Sequence, residues 1–135
     1  MSLHLVDPHG GTLVSRFASP TRAAEIKAQA PKLPRVTLTA KQACDLEMIA
    51  IGAFSPLTGF VGQADFVSIC KDMRLSLGKN KGLIWPIPIT LAVDEATKGK
   101  LAVGKPAALY HADGTLLATI DVQEIYPHDK KLEIP

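Results

Sequence analysis

Cysteine, aromatic residues and long apolar runs are scarce in this chain. Cys44 and Cys70 are the only cysteines in 135 residues. With no further Cys or His ligands close by in sequence, they make a poor zinc site. Each falls within a predicted helix, on its apolar side or beside it, so both are expected to be buried, reduced thiols of a cytoplasmic protein. Aromatics amount to 5%, too few for a platform on which nucleic-acid bases would stack. No apolar run approaches the roughly 20 residues that span a bilayer. The start, from Met1 to Asp7, lacks the basic-then-apolar order of a secretory signal. The net charge is +2 with the basic residues spread along the chain, which is not the clustered footprint of a nucleic-acid binder.

Catalytic signatures are missing as well. Neither Gly-x-x-x-x-Gly-Lys-Ser/Thr nor Gly-x-Gly-x-x-Gly occurs, which removes the two commonest glycine-rich phosphate cradles. His4, His9, His111 and His128 are widely separated and form no His-x-x-His or His-Glu-x-x-His pair. Ser55 stands in Phe-Ser-Pro, not in the Gly-x-Ser-x-Gly turn that exposes a nucleophile. Asp45 and Glu47 are two residues apart, which points them to different helix faces and marks them as solvated carboxylates rather than an acid/base pair. Arg16, Arg22, Arg35 and Arg74 are scattered, with no convergent anion clamp. The Lys79-Asn80-Lys81 loop, flanked by Gly78 and Gly82, could touch an anion, but a soluble connection is the preferred reading. The same holds for His9-Gly10-Gly11, whose amides lack a following helix to add its dipole.

What is present is enough apolar material for a core. Apolar residues make up 47% of the chain, a length and composition that fit one compact domain. Ser19-Pro20 opens a helix that runs to about Gln29 and stops before Pro31. Val36–Leu38 is a short extended piece. Thr39 and Gln42 form a capping box, after which Ala43, Leu46, Ile49 and Ala50 recur at helical spacing and Gly52 suits the left-handed end. Residues 53–62 are too rich in Pro and Gly for a regular element and too apolar for a solvated loop, so they form an ordered loop pinned by Phe54 and Phe60. A helix over about Gln63–Met73 follows.

From Ile84 to Val93 the period becomes two, predicting a strand. Pro86 and Pro88 strip one of its edges of donors, so it lies at a sheet edge or pairs through its other side. Ala107–Tyr110 and Leu116–Ile120 flank Asp113-Gly114 as a hairpin, with Val122, Ile125 and Tyr126 extending the second arm. The polar run from Pro127 to Lys131 leaves the fold. Short helices first and strands later give an α+β domain whose sheet curls into a small barrel.

The run Asp45-Leu46-Glu47, then Gly52-Ala53-Phe54-Ser55-Pro56-Leu57-Thr58-Gly59-Phe60, resembles a hallmark stretch of the ATP sulfurylases, the sulfate adenylyltransferases. Pro8-His9-Gly10-Gly11 with Leu13-Val14 is similar to that family's N-terminal segment. Met73-Arg74-Leu75 with Trp85-Pro86-Ile87-Pro88-Ile89-Thr90-Leu91 and the closing pieces Ala108-Leu109-Tyr110, Asp113-Gly114 and Glu124-Ile125-Tyr126-Pro127 match in the same order. The resemblance spans nearly the whole chain. It implies a PUA-like mixed β-barrel with short flanking helices, occupying residues 1–135 as a single N-terminal domain. It also implies that catalysis belongs to a following α/β domain, whose Q-x-R-N-P-x-H motif does not occur here. The resemblance therefore carries no catalytic, cofactor-binding or metal-ligating residue onto this chain. The complete enzyme would join ATP and sulfate into adenylyl sulfate and pyrophosphate with magnesium, in sulfate assimilation. The implied partners are the catalytic domain and further copies in an oligomer. A PUA-like RNA-binding module and a pure interface module are the alternative readings.

Overall fold

Ser19 and Thr39 start the first two long helices. In the computed structural model, which describes residues 5–134, the Arg22 N–H donates to Ser19 Oγ at 3.2 Å and helix α1 runs Pro20–Gln29. A 3-10 turn at Ala30–Lys32 then leads into strand β1, Arg35–Thr37. The capping box is complete. The Gln42 N–H donates to Thr39 Oγ1 at 3.2 Å and the Thr39 N–H to Gln42 Oε1 at 2.9 Å, two donors that would otherwise lack partners. Helix α2, Ala40–Ile51, ends at Gly52 with φ 87°, as its left-handed cap requires. Helix α3 spans Gln63–Asp72 and is closed by Met73, itself left-handed at φ 53°.

The sheet is three-stranded, in the order β1-β2-β3. Strand β1 runs parallel to β2, Pro106–Tyr110, with Val36 opposite Leu109, and β2 pairs antiparallel with β3, Leu116–Asp121. Among the described residues this sheet is open, and no ladder closes it into a barrel. The strand expected over 84–93 is absent too. That segment makes one isolated bridge, Arg74 with Ile84, which includes the Trp85 bond, and one further main-chain bond, from Val61. The Trp85 N–H donates to the Met73 carbonyl at 2.8 Å and the Val61 N–H to the Ile89 carbonyl at 2.9 Å. Pro86 and Pro88 carry no amide hydrogen, so no continuous ladder forms along them.

The hairpin loop is longer than a two-residue turn. The Gly114 N–H donates to the His111 carbonyl at 2.9 Å, the His111 N–H to the Thr115 carbonyl at 2.8 Å, and Gly114 sits at φ 90°. That is the three-residue connection in which the glycine supplies the left-handed step. Two elements had no counterpart in the sequence reading. Helix α4, Glu95–Lys98, is capped by Asp94 Oδ1 accepting from the Thr97 N–H at 2.7 Å. Helix α5, Lys130–Glu133, is capped by Asp129. The tail thus stays on the fold instead of leaving it. Leu132 packs on the core, and the His128 ring meets Phe66 edge-on at 5.7 Å.

Two apolar clusters hold these elements. One gathers Ile49, Leu57, Val61, Phe66, Ile69, Leu75 and Ile89. The other gathers Val36, Leu38, Ala43, Ala107, Leu109 and Val122 under the sheet. Phe60 packs against both, which is why the loop over 53–62 is ordered. Each large aliphatic or aromatic side chain buried in this way contributes about 1.5–3 kcal/mol. No helix among the described residues is long and apolar enough to cross a membrane.

Candidate functional site

The turn at His9 is the most built-up polar feature outside the cores. Gly10 and Gly11 take φ of 79° and 88°, and the Gly11 N–H donates back to the Pro8 carbonyl at 2.8 Å. A Cβ on Gly10 would press on Pro56 at 3.1 Å, so the glycine lets this turn lie against the loop after α2. His9 reaches across to the Ile84 carbonyl with Nε2 at 2.7 Å and lies over Trp85, ring centroids 5.9 Å apart. This bond makes Nε2 the protonated nitrogen, since a carbonyl only accepts. Phe54 meets the same indole edge-on at 6.0 Å. The result is a packed platform, with the Gly11 amide turned inward and not offered to an anion.

Ser55 is buried and doubly bonded. Its hydroxyl donates to the Gly52 carbonyl at 2.6 Å and accepts the Val14 N–H at 2.9 Å. It staples the N-terminal segment to the end of α2, and no base stands beside it to make a nucleophile. Asp45 corrects the sequence reading: it is buried, not solvated, and holds Lys41 Nζ at 3.0 Å, while Glu47 is exposed. The lysine side chain is largely in water, so the pair is worth at most about 1 kcal/mol.

Cys44 also departs from expectation, for it is exposed, while Cys70 is half-buried; both are free. Helix α2 buries two flanks, Ile49 in one cluster and Ala43 in the other, so Cys44 faces outward. Burial first, and the charges of Glu133 and Asp129 after it, push the Cys70 thiol above its ordinary value. Its neighbour Tyr126 is pushed up to about 12, chiefly by burial and then by Glu124 and Cys70, while its hydroxyl donates to the Val61 carbonyl at 2.8 Å.

The charged candidates are engaged separately. The Lys79 loop folds as a 3-10 turn, Gly78–Asn80. Its amides are used internally, Lys81 to the Gly78 carbonyl and Gly82 to the Leu75 carbonyl. Arg74 donates to the Gly82 carbonyl at 2.9 Å beside a shallow depression lined by Ser68, Asp72, Ser76 and Lys81. Arg35 lies over the Tyr110 ring at 3.9 Å, a cation–π contact. Arg22 pairs with Glu25 on α1, and Arg16 belongs to the segment whose backbone bonds the Ala50 carbonyl. His111 accepts from the Asp113 N–H in the hairpin loop, and His128 bonds Glu133 at 2.5 Å. His4 lies outside the described residues. Among those residues no three His, Cys, Asp or Glu side chains come together as a metal site.

Sequence reasoning missed the roles of Asp65, Glu124 and Tyr126. Asp65 accepts from both the backbone N–H and the hydroxyl of Ser76, at 2.7 and 2.8 Å. Glu124 caps α3 from 61 residues away. Neither pairing leaves a local signal. All three hold structure together and do not converge on a ligand space.

Comparison with known proteins places this geometry. A family model described as a PUA-like domain matches residues 6–135. The sulfate adenylyltransferase of Candida albicans is 50% identical over 93% of this chain, which covers 25% of that protein. That of Synechococcus is 43% identical over 95% of the chain and 32% of its own length. A probable bifunctional SAT/APS kinase 2 of Sorangium cellulosum is 42% identical over 96% of the chain and 22% of its length. Among solved structures, one titled hexameric APS kinase, from Thiobacillus denitrificans, aligns with a TM-score of 0.79 at 34% identity, over 92% of this chain and 24% of that one. The chain thus spans a third or less of the length of these relatives.

Proposed function

The chain belongs to the PUA-like domain family, and from that premise we propose that it is the N-terminal, non-catalytic domain of a sulfate adenylyltransferase. The observation that carries this reading is identity of 42–50% to such enzymes over more than nine-tenths of the chain. In this reading residues 1–135 are one supporting domain. The complete protein joins ATP and sulfate into adenylyl sulfate and pyrophosphate, works in the cytoplasm and assembles as an oligomer.

Sulfate is a weak nucleophile and the α-phosphate is shielded by negative charge. The reaction therefore needs convergent cations that stabilise both anions and the leaving pyrophosphate. We expect such a cradle for magnesium and ATP in the rest of the protein. Among the described residues Arg35 and Arg74 are committed to a ring and a carbonyl, and the Gly11, Lys81 and Gly82 amides bond main-chain carbonyls. What this chain supplies is burial, rigidity and a docking surface. The curl of 83–93 toward Met73 and Val61 supports a barrel-like wall despite the open ladder.

The test is sulfate-dependent pyrophosphate release with magnesium and ATP. The longer protein is expected to turn over and the purified 135-residue chain to give no release above background. Turnover by the short chain would refute the proposal. An RNA-binding role gains no support from the net charge of +2 or the sparse aromatics.

A further inference from the structure

Of the three long helices, α1 alone buries no side chain. Helix α2 buries Ala43, Asp45 and Ile49, and α3 buries Phe66 and Ile69. On α1 only Ala23 and Ile26 are half-covered. The turn that follows it holds Ala30, which is buried yet belongs to neither apolar cluster. The same is true of Ala108 in β2. Side chains alternate across a strand, so Ala108 points away from the face on which Ala107 and Leu109 line the second cluster. Helix α1 lies against β3, and the turn at Ala30–Lys32 against β2. Together they cover Ala108 and its register partner Thr119 on the far face of the sheet. We propose that residues 17–33 are a strap over that face, which lifts as a unit while both apolar clusters stay closed.

Both ends of the strap are fastened. Before it, the Val14 N–H donates to Ser55 Oγ at 2.9 Å and the Arg16 N–H to the Ala50 carbonyl at 3.0 Å. After it, the Ala108 N–H donates to the Pro34 carbonyl at 2.8 Å, where β1 begins. Between these points the hydrogen bonds are internal: Arg22 and Ala23 to Ser19, Arg22 to Glu25, and Leu33 to Ala30. Among the described residues, no hydrogen bond or ion pair ties 17–33 to the rest of the fold. What holds the strap down is contact of small side chains, Ala23, Ile26 and Ala30 over Ala108 and Thr119. Apolar stabilisation scales with the area buried, so this contact is weak beside that of Phe66 or Ile69. Lifting the strap bares little apolar surface and breaks no bond of the sheet. Such a segment belongs to the low end of the range of local opening free energies, and α2 and α3 to the high end. The strap is thus a conformational device: it bares the far face of the sheet without unfolding it.

The test is native-state hydrogen exchange on the full protein, resolved to single amides and corrected for unfolded-chain rates. Amides in the second half of α1, Ala24 to Gln29, should exchange at least about a hundredfold faster than those of Ile69 and Cys70 in α3. They should still exchange about tenfold or more slower than in an unfolded chain, because the strap is closed most of the time. Two variants separate a unit that lifts alone from one that opens with the whole fold. Ile69→Val thins the first cluster and should quicken α3 exchange about two- to tenfold, leaving α1 exchange unchanged. Ala24→Gly, at an exposed helical position, should quicken α1 exchange about fivefold. Three results would each overturn the proposal: α1 protected as well as α3, α1 with unfolded-chain rates, or α1 quickened by Ile69→Val as much as α3 is.

Discussion

The Glu124 carboxylate accepts the backbone N–H of Gln63 at 3.2 Å, so the N-terminus of α3 is capped by a side chain 61 residues downstream. Gly62, at the cap position, offers no side chain of its own. A Cβ there would run into the same carboxylate. The glycine and the glutamate are therefore complementary: the missing Cβ makes room for the acceptor, and the negative charge meets the positive end of the helix.

Glu124→Ala should lower stability by about 1 kcal/mol, and Glu124→Gln by less, since an amide oxygen can still accept. Gly62→Ala should also destabilise in the parent background. In the Glu124→Ala background it should cost little, because the obstructing carboxylate is gone, so the pair should be strongly non-additive. Urea denaturation midpoints of the four proteins check this. Additive effects would show that the two residues do not share this contact.

Gly52 and Gly114 both have positive φ, 87° and 90°, but their surroundings differ. A Cβ on Gly52 would lie 2.7 Å from the Val14 carbonyl oxygen and from a Leu13 methyl, whereas Gly114 meets only an Arg35 nitrogen at 3.7 Å. Gly114→Ala should therefore cost about 1 kcal/mol, for backbone conformation alone. Gly52→Ala should cost clearly more, because the N-terminal segment must shift and the Ser55 staple with it. Gly114→Val should exceed Gly114→Ala, a β-branched side chain being the least tolerant of left-handed backbone. Melting temperatures of the three variants give the order.

How legible each feature was depended on how local its cause is. The capping box of Thr39 and Gln42 and the left-handed Gly52 need only neighbours in sequence, and α2 lies where they imply. The hairpin around Asp113-Gly114 was legible for the same reason, though its loop is one residue longer than the tightest form. Residues 84–93 alternate like a strand, yet two prolines deny them a ladder, and alternation alone cannot report a missing partner. Cys44 was misplaced because the reading assumed one apolar face for α2, while the helix is wedged between two clusters. Asp129 and Glu124 act as caps across the fold or on a helix of four residues, where periodicity carries almost no signal. For the candidate site, the loops at His9 and Lys79 read as connections in preference to anion sites, and the Gly11, Lys81 and Gly82 amides bond main-chain carbonyls.

Asp113 should titrate below its ordinary value of 3.8, because Thr115 donates to its carboxylate, first through the side-chain hydroxyl and then through the backbone N–H at 2.9 Å, with His111 adding a smaller pull. A depressed carboxylate stabilises the fold fully above its unfolded value, about 3.9, and loses that contribution as pH falls through the lower folded value. The hairpin should thus loosen only in acid below that range. Carboxyl NMR titration should give an Asp113 midpoint under 3.8. In Thr115→Pro, which removes both the hydroxyl and the amide donor, the midpoint should return toward the ordinary value. A parent midpoint already at the ordinary value would show that the loop bond is not held in solution.

The two thiols should react at very different rates. Cys44 is exposed and Cys70 half-buried, and the Cys70 thiol is raised above its ordinary value of 9.0 by burial and by the charges of Glu133 and Asp129. Only the thiolate attacks a disulfide reagent, so both access and ionisation disfavour Cys70. At neutral pH Cys44 should be modified first, faster by on the order of tenfold or more. Cys70 should gain rate only in distinctly alkaline solution. The Cys70 rate also reads the docking of α5, since Glu133 acts on the thiol only while the tail lies on α3. Glu133→Gln removes one opposing charge but also weakens the bond to His128; both changes should speed Cys70 and leave Cys44 as it was. Kinetics of thiol modification, with each site assigned by mass spectrometry, decide the matter. Equal rates in the parent chain would mean that the tail does not lie on α3 in solution.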